Sequence, residues 1–451
     1  MIRGTILSIV AVCLVAACHG RPLVRDNAAF LSIDMDVPNK ALLLTYEFES
    51  PVRALRFAHR PEGTRRSGWS AVDPEMNLHG HVLSRTDSAP FESATVKVEI
   101  VEQSTEHAAS GVRAMGDSGL VLFVPYLSLQ GIRVTGIAAH IAPGQVVVHE
   151  GFVADIGAET AVLERAAREP LHVYFGDRTA LTYVGDSMLV ASADPENTWL
   201  MAIGNEMEPA MQWIDAFFGS SGRVRPIVFV FFSEDDDMDI GEFSGTVTSG
   251  REILMSFKGP SGMWKGDLRE DWFGRVVFSN LVHAAQVIRW GFPEINAEPS
   301  WLIQGLSGYL ALAYAHGADG QEGDRTFLSE MEQMASECLN ILEEGGFGIA
   351  RASAQAGTTI YDECGVLAFW LIDGRPATAH RADRVRTVMA QVSETPGRFG
   401  VGRLRRAMES AGAIDAWKPL QLLIEGPRGR LWQRRGRIVG PTDICAPGSC
   451  P

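Results

Sequence analysis

The sequence predicts an α+β protein in which an N-terminal antiparallel β domain precedes a largely helical region. From about residue 30 to 183, short apolar runs such as 94–100 are separated by Gly, Pro, Asp and Asn, a pattern typical of antiparallel strands and turns. Between residues 198 and 218, apolar residues recur at helical spacing, and helical patterns dominate from after residue 262 to about residue 416. We expect a β domain at 25–185, two further domains at 195–320 and 321–425, and a tail at 426–451.

Length and charge limit the classes of protein to consider. With 451 residues, of which 46% are hydrophobic, the chain can build more than one core. The formal net charge of −15 argues against a nucleic-acid partner, because phosphates require a basic surface and no basic stripe is present. After the first residues, no apolar run reaches the roughly 20 residues that a membrane-spanning helix needs.

The first 18 residues have the features of an export signal. Arg3 gives a positive start, residues 6–15 are apolar, and small residues at 15–17 precede Cys18. This arrangement resembles a bacterial lipoprotein signal, in which the cysteine becomes the lipidated first residue. An ordinary secretory peptide, with Cys18 incidental, is the alternative. We therefore expect a protein of the bacterial cell envelope that faces the periplasm and meets the membrane only through its lipid anchor. His19 at the next position favours the outer membrane.

Cysteine use fits an oxidising compartment. Cys13 lies in the signal with Cys18, and the four cysteines left for the mature chain are Cys338, Cys364, Cys445 and Cys450. Four cysteines allow three pairings. A Cys445–Cys450 bond would close a small loop in the tail, and a Cys338–Cys364 bond would tie two helices together.

The elements of the second half follow one another in a definite order. Residues 198–218 read as an amphipathic helix, and the apolar run 227–232 reads as a buried strand. Residues 241–257 alternate as a strand does, with Ile253, Met255 and Phe257 on one face. Two helical segments follow, at 276–286 and 301–310. In the first, Ser279, His283 and Gln286 share a face because they are three and four residues apart.

The helical pair resembles the site helices of the gluzincin metallopeptidases, the group of the alanyl and glycyl aminopeptidases. In that family one helix reads His-Glu-x-x-His and the next supplies a Glu within Trp-Leu-x-Glu-Gly. Residues 301–305, Trp-Leu-Ile-Gln-Gly, match the second motif everywhere except at the ligand, which is Gln304 here. Residues 361–365, Tyr-Asp-Glu-Cys-Gly, are similar to the family's later Tyr-bearing helix. The resemblance implies a thermolysin-like α/β and helical peptidase domain after the β domain.

The family's zinc ligands and general base are almost all replaced. In the register that fits best, Ser279 and His283 take the imidazole positions, Asn280 that of the base and Gln304 that of the carboxylate. If His283 is instead the first imidazole, Ala284 and Val287 follow it at the other positions. Ser keeps its proton at neutral pH, Asn cannot accept one from water, and Gln is a poor zinc ligand. Both registers therefore predict a degenerate site.

Other residues do not restore the chemistry. Glu252, Glu294 and Glu298 could in principle build a shifted metal site, but none has ligand spacing with His283. Tyr361 matches a Tyr that stabilises the transition state in the family. Without the metal it has no defined role.

The sequence is compatible with three functional hypotheses. We expect a catalytically silent, gluzincin-like lipoprotein that uses the former active-site cleft, between the β domain and the helical domain, to bind a peptide or a periplasmic protein. The second reading is an active zinc hydrolase of aminopeptidase type with a rearranged site, and the third is a structural envelope protein. The first reading requires no cofactor, whereas the second requires zinc.

Overall fold

A computed structural model shows a mixed α+β chain in which β sheets come first and helices later. It describes residues 27–36, 41–58, 68–100, 112–115, 119–140, 145–149, 152–154, 160–162, 172–184, 187–191, 198–219, 226–234, 242–247, 252–259, 271–290, 300–317, 320–345, 348–349, 359–374, 382–395 and 400–426. These residues form two compact units. The first extends to Gly176 and the second begins at Asp177, except that Met115, Gly119 and Phe152 group with the second.

The first unit consists of β-sheet. Its strands are β1 (Asn27–Asp36), β2 (Ala41–Val52), β3 (Ala54–Arg56), β4 (Trp69–Ala71), β5 (Met76–His79), β6 (Val82–Arg85), β7 (Phe91–Glu99), β8 (Val112–Ala114), β9 (Gly119–Phe123), β10 (Ile132–His140), β11 (Gln145–His149), β12 (Phe152–Ala154), β13 (Thr160–Val162) and β14 (His172–Asp177). They form sheets in the orders β13-β10-β1-β2-β7-β4, β12-β11-β14-β9-β8 and β3-β6-β5. One apolar core includes side chains from all three sheets.

The prediction that the β domain is purely antiparallel is wrong at its largest sheet. β1 is antiparallel to β2 but parallel to β10, with Asn27 opposite Ile132 and Asp34 opposite His140. Alternation of apolar residues reveals which side chains face inward, but it does not encode the direction of a partner strand that lies far away in the chain. The domain is therefore a mixed β structure.

The second unit begins with a sheet and continues with helices. Its strands are β15 (Leu181–Val184), β16 (Ser187–Ala191), β17 (Ile227–Glu234), β18 (Glu242–Val247) and β19 (Glu252–Gly259), in the order β15-β16-β17-β19-β18. β17 is parallel to both β16 and β19, whereas the two outer strands are antiparallel to their neighbours. The strand-like pattern at 241–257 thus corresponds to two strands, and Ile253, Met255 and Phe257 are all buried in the second.

The helices are α1 (Thr198–Phe218), α2 (Asp271–Trp290), α3 (Ser300–Gly317), α4 (Gly320–Gly345), α5 (Thr359–Ile372), α6 (Asp383–Glu394), α7 (Val401–Ser410) and α8 (Trp417–Glu425). α1 has the bounds that its periodicity predicts. None of the helices in the described ranges is long and apolar enough to cross a membrane.

The domain boundaries differ from those expected at two places. The hairpin of β15 and β16 belongs to the second unit, because β16 pairs with β17, so the first boundary lies at Gly176 rather than at residue 185. One continuous apolar core extends from Leu189 to Ile424 and includes residues of every helix. The boundary expected at residue 320 therefore falls inside a single compact unit.

Candidate functional site

The two helices that bear the candidate site are joined by a buried hydrogen-bond network. Gln286 of α2 is fully buried, and its Nε2 donates to the Ile303 carbonyl at 3.1 Å and to Ser307 Oγ at 2.8 Å. Ser307 Oγ donates in turn to the Ile303 carbonyl at 2.9 Å. From its spacing, Gln286 is predicted to share a face of the helix with Ser279 and His283. The structure instead places its amide inside the α2–α3 interface, where it fixes the two helices together.

Asn280, which the sequence resemblance predicts at the general-base position, forms a hydrogen bond within its own helix. Its Nδ2 donates to the Val276 carbonyl one turn earlier, at 2.9 Å. Its side chain also lies against Gly245 of β18, where an added Cβ would come within 2.5 Å of both amide atoms. Because residue 245 is a glycine and has no Cβ, the Asn280 amide can pack against its backbone. No local pattern predicts this pairing, because it joins positions 35 residues apart.

Ser279 and His283 are half-buried and lie one turn apart on α2. Burial lowers the pKa of His283 from its usual value of 6.5 to about 4, because removing the ring from water disfavours its charged form. The imidazole is therefore neutral at pH 7.

Gln304, which the sequence resemblance predicts at the carboxylate position, has a side-chain oxygen that accepts no hydrogen bond from the described residues. Its Oε1 is buried, and no hydrogen bond reaches it within the part of the chain that the structure describes. The residue lies on α3, directly after Ile303, whose carbonyl accepts the two hydrogen bonds from Gln286 and Ser307. Gln304 is therefore held at the α2–α3 junction with its carbonyl oxygen unsatisfied.

The fold brings the two similar motifs into contact at their glycines. An added Cβ at Gly305 would lie 2.3 to 2.5 Å from backbone atoms of Gly365, and one at Gly365 would lie 2.6 Å from the Trp301 carbonyl oxygen. α3 and α5 therefore touch backbone to backbone. Tyr361 lies one turn before Gly365 in α5, and only its helical backbone is described.

A disulfide and an ion-pair cluster fix the next helices around this junction. Cys338 of α4 and Cys364 of α5 form a buried disulfide, the pairing expected to tie two helices together. Arg275, one turn before Ser279, forms a bidentate ion pair with Glu330 of α4, in which Nη2 lies 2.8 Å from Oε1. His316 Nε2 of α3 approaches the same carboxylate at 3.4 Å. Cys18, Cys445 and Cys450 lie outside the described residues.

A second buried polar contact was missed from the sequence. Tyr309 donates to Asp373 Oδ2 at 2.7 Å, and Asp373 Oδ1 accepts from the backbone amides of Arg384 and Val385 at 3.0 and 3.1 Å. Burial raises the pKa of both the phenol and the carboxyl group. Asp373 thus anchors the start of α6. A carboxylate ten residues before a helix does not by itself predict this contact.

The donor set at the junction does not fit zinc. The hydroxyl of Ser279 and the neutral amide of Gln304 are weaker zinc ligands than the imidazole of His283, and the amide of Asn280 cannot act as a base. Across the described ranges, no three His, Cys, Asp or Glu side chains form a group that could hold a metal ion. Glu252 is fully buried at the start of β19 and already takes part in an interaction there. Glu294 and Glu298 lie outside the described residues.

Comparisons with known proteins give a limited result. No protein family and no curated protein matches the sequence. Among solved structures, the chain is similar to native yeast LTA4 hydrolase, with 14% identity, a TM-score of 0.49, and coverage of 90% of this chain and 69% of the other. An overlap at this level assigns neither family nor activity, so any function must be argued from the residues of the junction.

Proposed function

We propose that this protein is a non-catalytic, gluzincin-like lipoprotein of the bacterial envelope that binds a peptide or a segment of a periplasmic protein. The observation that carries the proposal is the chemistry of the junction. Ser279, Asn280 and Gln304 occupy the positions where hydrolysis would need an imidazole, a general base and a carboxylate. The resemblance of the sequence motifs to the gluzincins motivates the comparison of positions.

The packing of Asn280 supports a binding role over a hydrolytic one. Its amide donates to its own helix and fills the space left by Gly245, so it contributes to the attachment of α2 to β18. A catalytic base must instead reach a water molecule or a substrate proton. Within the described residues, the position of the lost base has become part of the scaffold.

The edge of the sheet supports a peptide as the ligand. β18 is the outermost strand, paired with β19 on one side, and no described strand pairs with its other edge. An extended peptide can bind such an edge through main-chain hydrogen bonds. Because Gly245 of β18 touches Asn280, a peptide added there would run beside the junction of α2 and α3.

Two features support export to the envelope. The first 18 residues have the pattern of a lipoprotein signal ending at Cys18. The Cys338–Cys364 disulfide is of the kind found in oxidising compartments such as the bacterial periplasm. Labelling of growing cells with a radioactive fatty acid tests the anchor: wild type should be labelled, and the Cys18→Ala variant should not. Equal labelling of both would disprove lipidation at Cys18.

Zinc content is the first test of the non-catalytic role. The purified protein, dialysed mildly and analysed for metals, should contain no stoichiometric zinc and should not cleave aminoacyl or peptide reporters. Near-stoichiometric zinc, together with cleavage that is lost in His283→Ala, would overturn the proposal and favour an active hydrolase with a rearranged site.

A restoration experiment tests whether the helix pair has metallopeptidase geometry. The triple variant Ser279→His, Asn280→Glu, Gln304→Glu rebuilds the full ligand set and base around His283. It should bind zinc near stoichiometrically. The matched control, Ser279→Ala, Asn280→Glu, Gln304→Glu, lacks the second imidazole and should bind far more weakly. Equal zinc in the two variants would show that the positions do not converge on one site.

A further inference from the structure

Arginine side chains of the second unit are held between an aromatic ring and a carboxylate. The arrangement occurs twice, in Phe217, Arg386 and Asp383 and in Trp417, Arg405 and Glu409. The guanidinium carbon lies 5.6 Å from the ring centre in the first case and 5.4 Å in the second, and a guanidinium nitrogen lies 3.6 and 3.1 Å from the carboxylate oxygen. The ring attracts the cation through its quadrupole, and the carboxylate attracts it through its charge. A ring beside a carboxylate is thus the setting in which this chain holds a guanidinium.

A third set of rings and a carboxylate has no such cation among the described residues. Burial and the negative charge of Glu206 raise the pKa of Tyr314, so the carboxylate on α1 lies close to the phenol on α3. The ring centre of Trp213 lies 6.1 Å from that of Tyr314, with the two planes at 74°. Trp213 follows Glu206 by two turns of α1, and helical side chains lean toward the N-terminus, here toward Glu206. Within the described ranges, Glu206 forms neither an ion pair nor a hydrogen bond.

These two rings are supported from behind and reach the surface. Tyr314 stacks on Phe278 of α2, with ring centres 4.2 Å apart and planes at 11°, and Trp213 stacks on Phe217 with centres 5.4 Å apart and planes at 9°. The two phenylalanines are buried, whereas Trp213, Tyr314 and Glu206 are half-buried and therefore meet solvent. The supporting rings hold the site in place before any ligand binds, which lowers the entropic cost of binding.

The charge of α1 favours a cation at these rings, and the rings favour arginine over lysine. The helix carries Glu206, Glu208 and Asp215 and contains no Lys or Arg, so its electrostatic potential attracts cations and repels anions. A guanidinium is planar, stacks on aromatic rings and is more weakly hydrated than the ammonium of lysine. Its transfer from water to a half-buried surface therefore costs less free energy.

We propose that Glu206, Trp213 and Tyr314 form a binding site for the guanidinium group of an arginine side chain on a partner protein. The two rings receive the guanidinium, and the carboxylate of Glu206 accepts hydrogen bonds from its N–H groups. Tyr314 follows Gln304 by ten residues, about 15 Å along α3, so this surface is separate from the α2–α3 junction. The site goes beyond the proposed peptide-binding role and does not depend on it. Its partner presents an arginine in an exposed segment.

Fluorine NMR tests the site with a matched pair of peptides. The purified protein is labelled with 5-fluorotryptophan, and the Trp213 resonance is assigned by its loss in Trp213→Phe. Acetyl-Gly-Arg-Gly-amide should shift this resonance in a saturable manner, with a dissociation constant on the order of 1 mM, because the probe supplies only one cationic group. The same peptide with citrulline, which has the shape of arginine without its charge, should leave the resonance unchanged. Equal shifts with both peptides, or no shift with the arginine peptide, would overturn the proposal.

Glu206→Gln tests the carboxylate, because it removes the charge and keeps the shape of the side chain. Affinity for the arginine peptide should fall about fivefold, as expected for the loss of a favourable surface ion pair. Glu208→Gln removes the same charge from the same helix, at a side chain that accepts a hydrogen bond from Gln212, and should change the affinity by less than about twofold. Equal weakening in the two variants would show a response to the net charge of α1 alone and would refute the site. The corresponding lysine peptide should bind more weakly than the arginine peptide, and tighter binding of lysine would refute the preference for a guanidinium.

Discussion

Replacing Gly305 by alanine should destabilise the protein, although the same change stabilises most helices. In a helix interior, Gly→Ala ordinarily raises the free energy of unfolding by up to about 1 kcal/mol, because alanine has the higher helix propensity. At Gly305 the new Cβ would lie 2.3 Å from the carbonyl carbon of Gly365 and 2.4 Å from its Cα. Non-bonded carbon atoms normally lie about 3.5 to 4.0 Å apart, so α3 and α5 would have to separate by more than about 1 Å.

The size of the effect follows from what the methyl group meets. Overpacking of a core costs about 1 to 3 kcal/mol, and the upper end applies here because a backbone cannot rotate away as a side chain does. After subtraction of the gain in propensity, we expect a net loss of about 2 kcal/mol. For a unit of this size, the melting temperature should fall by about 5 °C.

Two matched variants make the measurement decisive. Gly204→Ala, inside α1, would meet nothing nearer than the Val184 Cγ2 at 3.4 Å and should be neutral or stabilising. Gly308→Ala, on α3 itself, would meet only the end of the Val366 side chain at 2.7 Å and should cost less than Gly305→Ala. Thermal unfolding, monitored by circular dichroism, ranks the stabilities of the three variants. If Gly305→Ala were as stable as Gly204→Ala, α3 and α5 would not cross at this glycine.

Three further predictions concern buried groups of the second unit. The imidazole of His283, with its pKa lowered to about 4, should stay neutral at pH 5.5 in NMR titrations. The imidazole of His283 binds a proton near pH 6.5 in the unfolded chain but only near pH 4 in the folded protein. The free energy of unfolding is therefore highest above pH 6.5 and decreases as the pH falls toward 4. Relative to His283→Gln, we expect a decrease of up to about 3 kcal/mol. Tyr309→Phe removes the hydroxyl donor of Asp373 and should cost about 1 to 2 kcal/mol in urea unfolding. The double variant Cys338→Ala, Cys364→Ala removes a cross-link between residues 26 positions apart, and its free energy of unfolding should be about 3.5 kcal/mol lower than that of wild type.

Each of these predictions has a contradicting result. A pH-independent stability difference between wild type and His283→Gln would mean that His283 has the same pKa in both states. An unchanged urea midpoint in Tyr309→Phe would show that the hydroxyl makes no net contribution. Equal stability of wild type under reducing and oxidising conditions would indicate that the disulfide does not form in solution.

Local periodicity predicted the individual elements of the second unit well. The helix at 198–218 has its predicted bounds, since about six turns of regular apolar spacing leave little ambiguity. The helix pair that carries His283 and Gln304 was also placed correctly, and the apolar residues Val277, Leu281 and Ala284 of its first helix are buried.

The features that sequence reasoning missed all depend on distant partners. Spacing placed Gln286 on the same face as His283, but spacing alone cannot show which part of that face meets a neighbouring helix. No local pattern marks Gly245 or Gly365 as a contact point, since these roles arise only where Asn280 and Gly305 approach them. Contacts of this kind join residues 35 and 60 positions apart, beyond the reach of any local pattern.

The parallel pairing of β1 with β10 constrains the order in which the first unit can assemble. β1 gains one neighbour as soon as β2 is made, but its other edge stays open until residues 132–140 have been synthesised. An unpaired edge is a template for wrong pairing, and non-local strand pairing is slow. During this delay, a chaperone that holds the unpaired strands would protect the first unit from wrong pairing until β10 arrives.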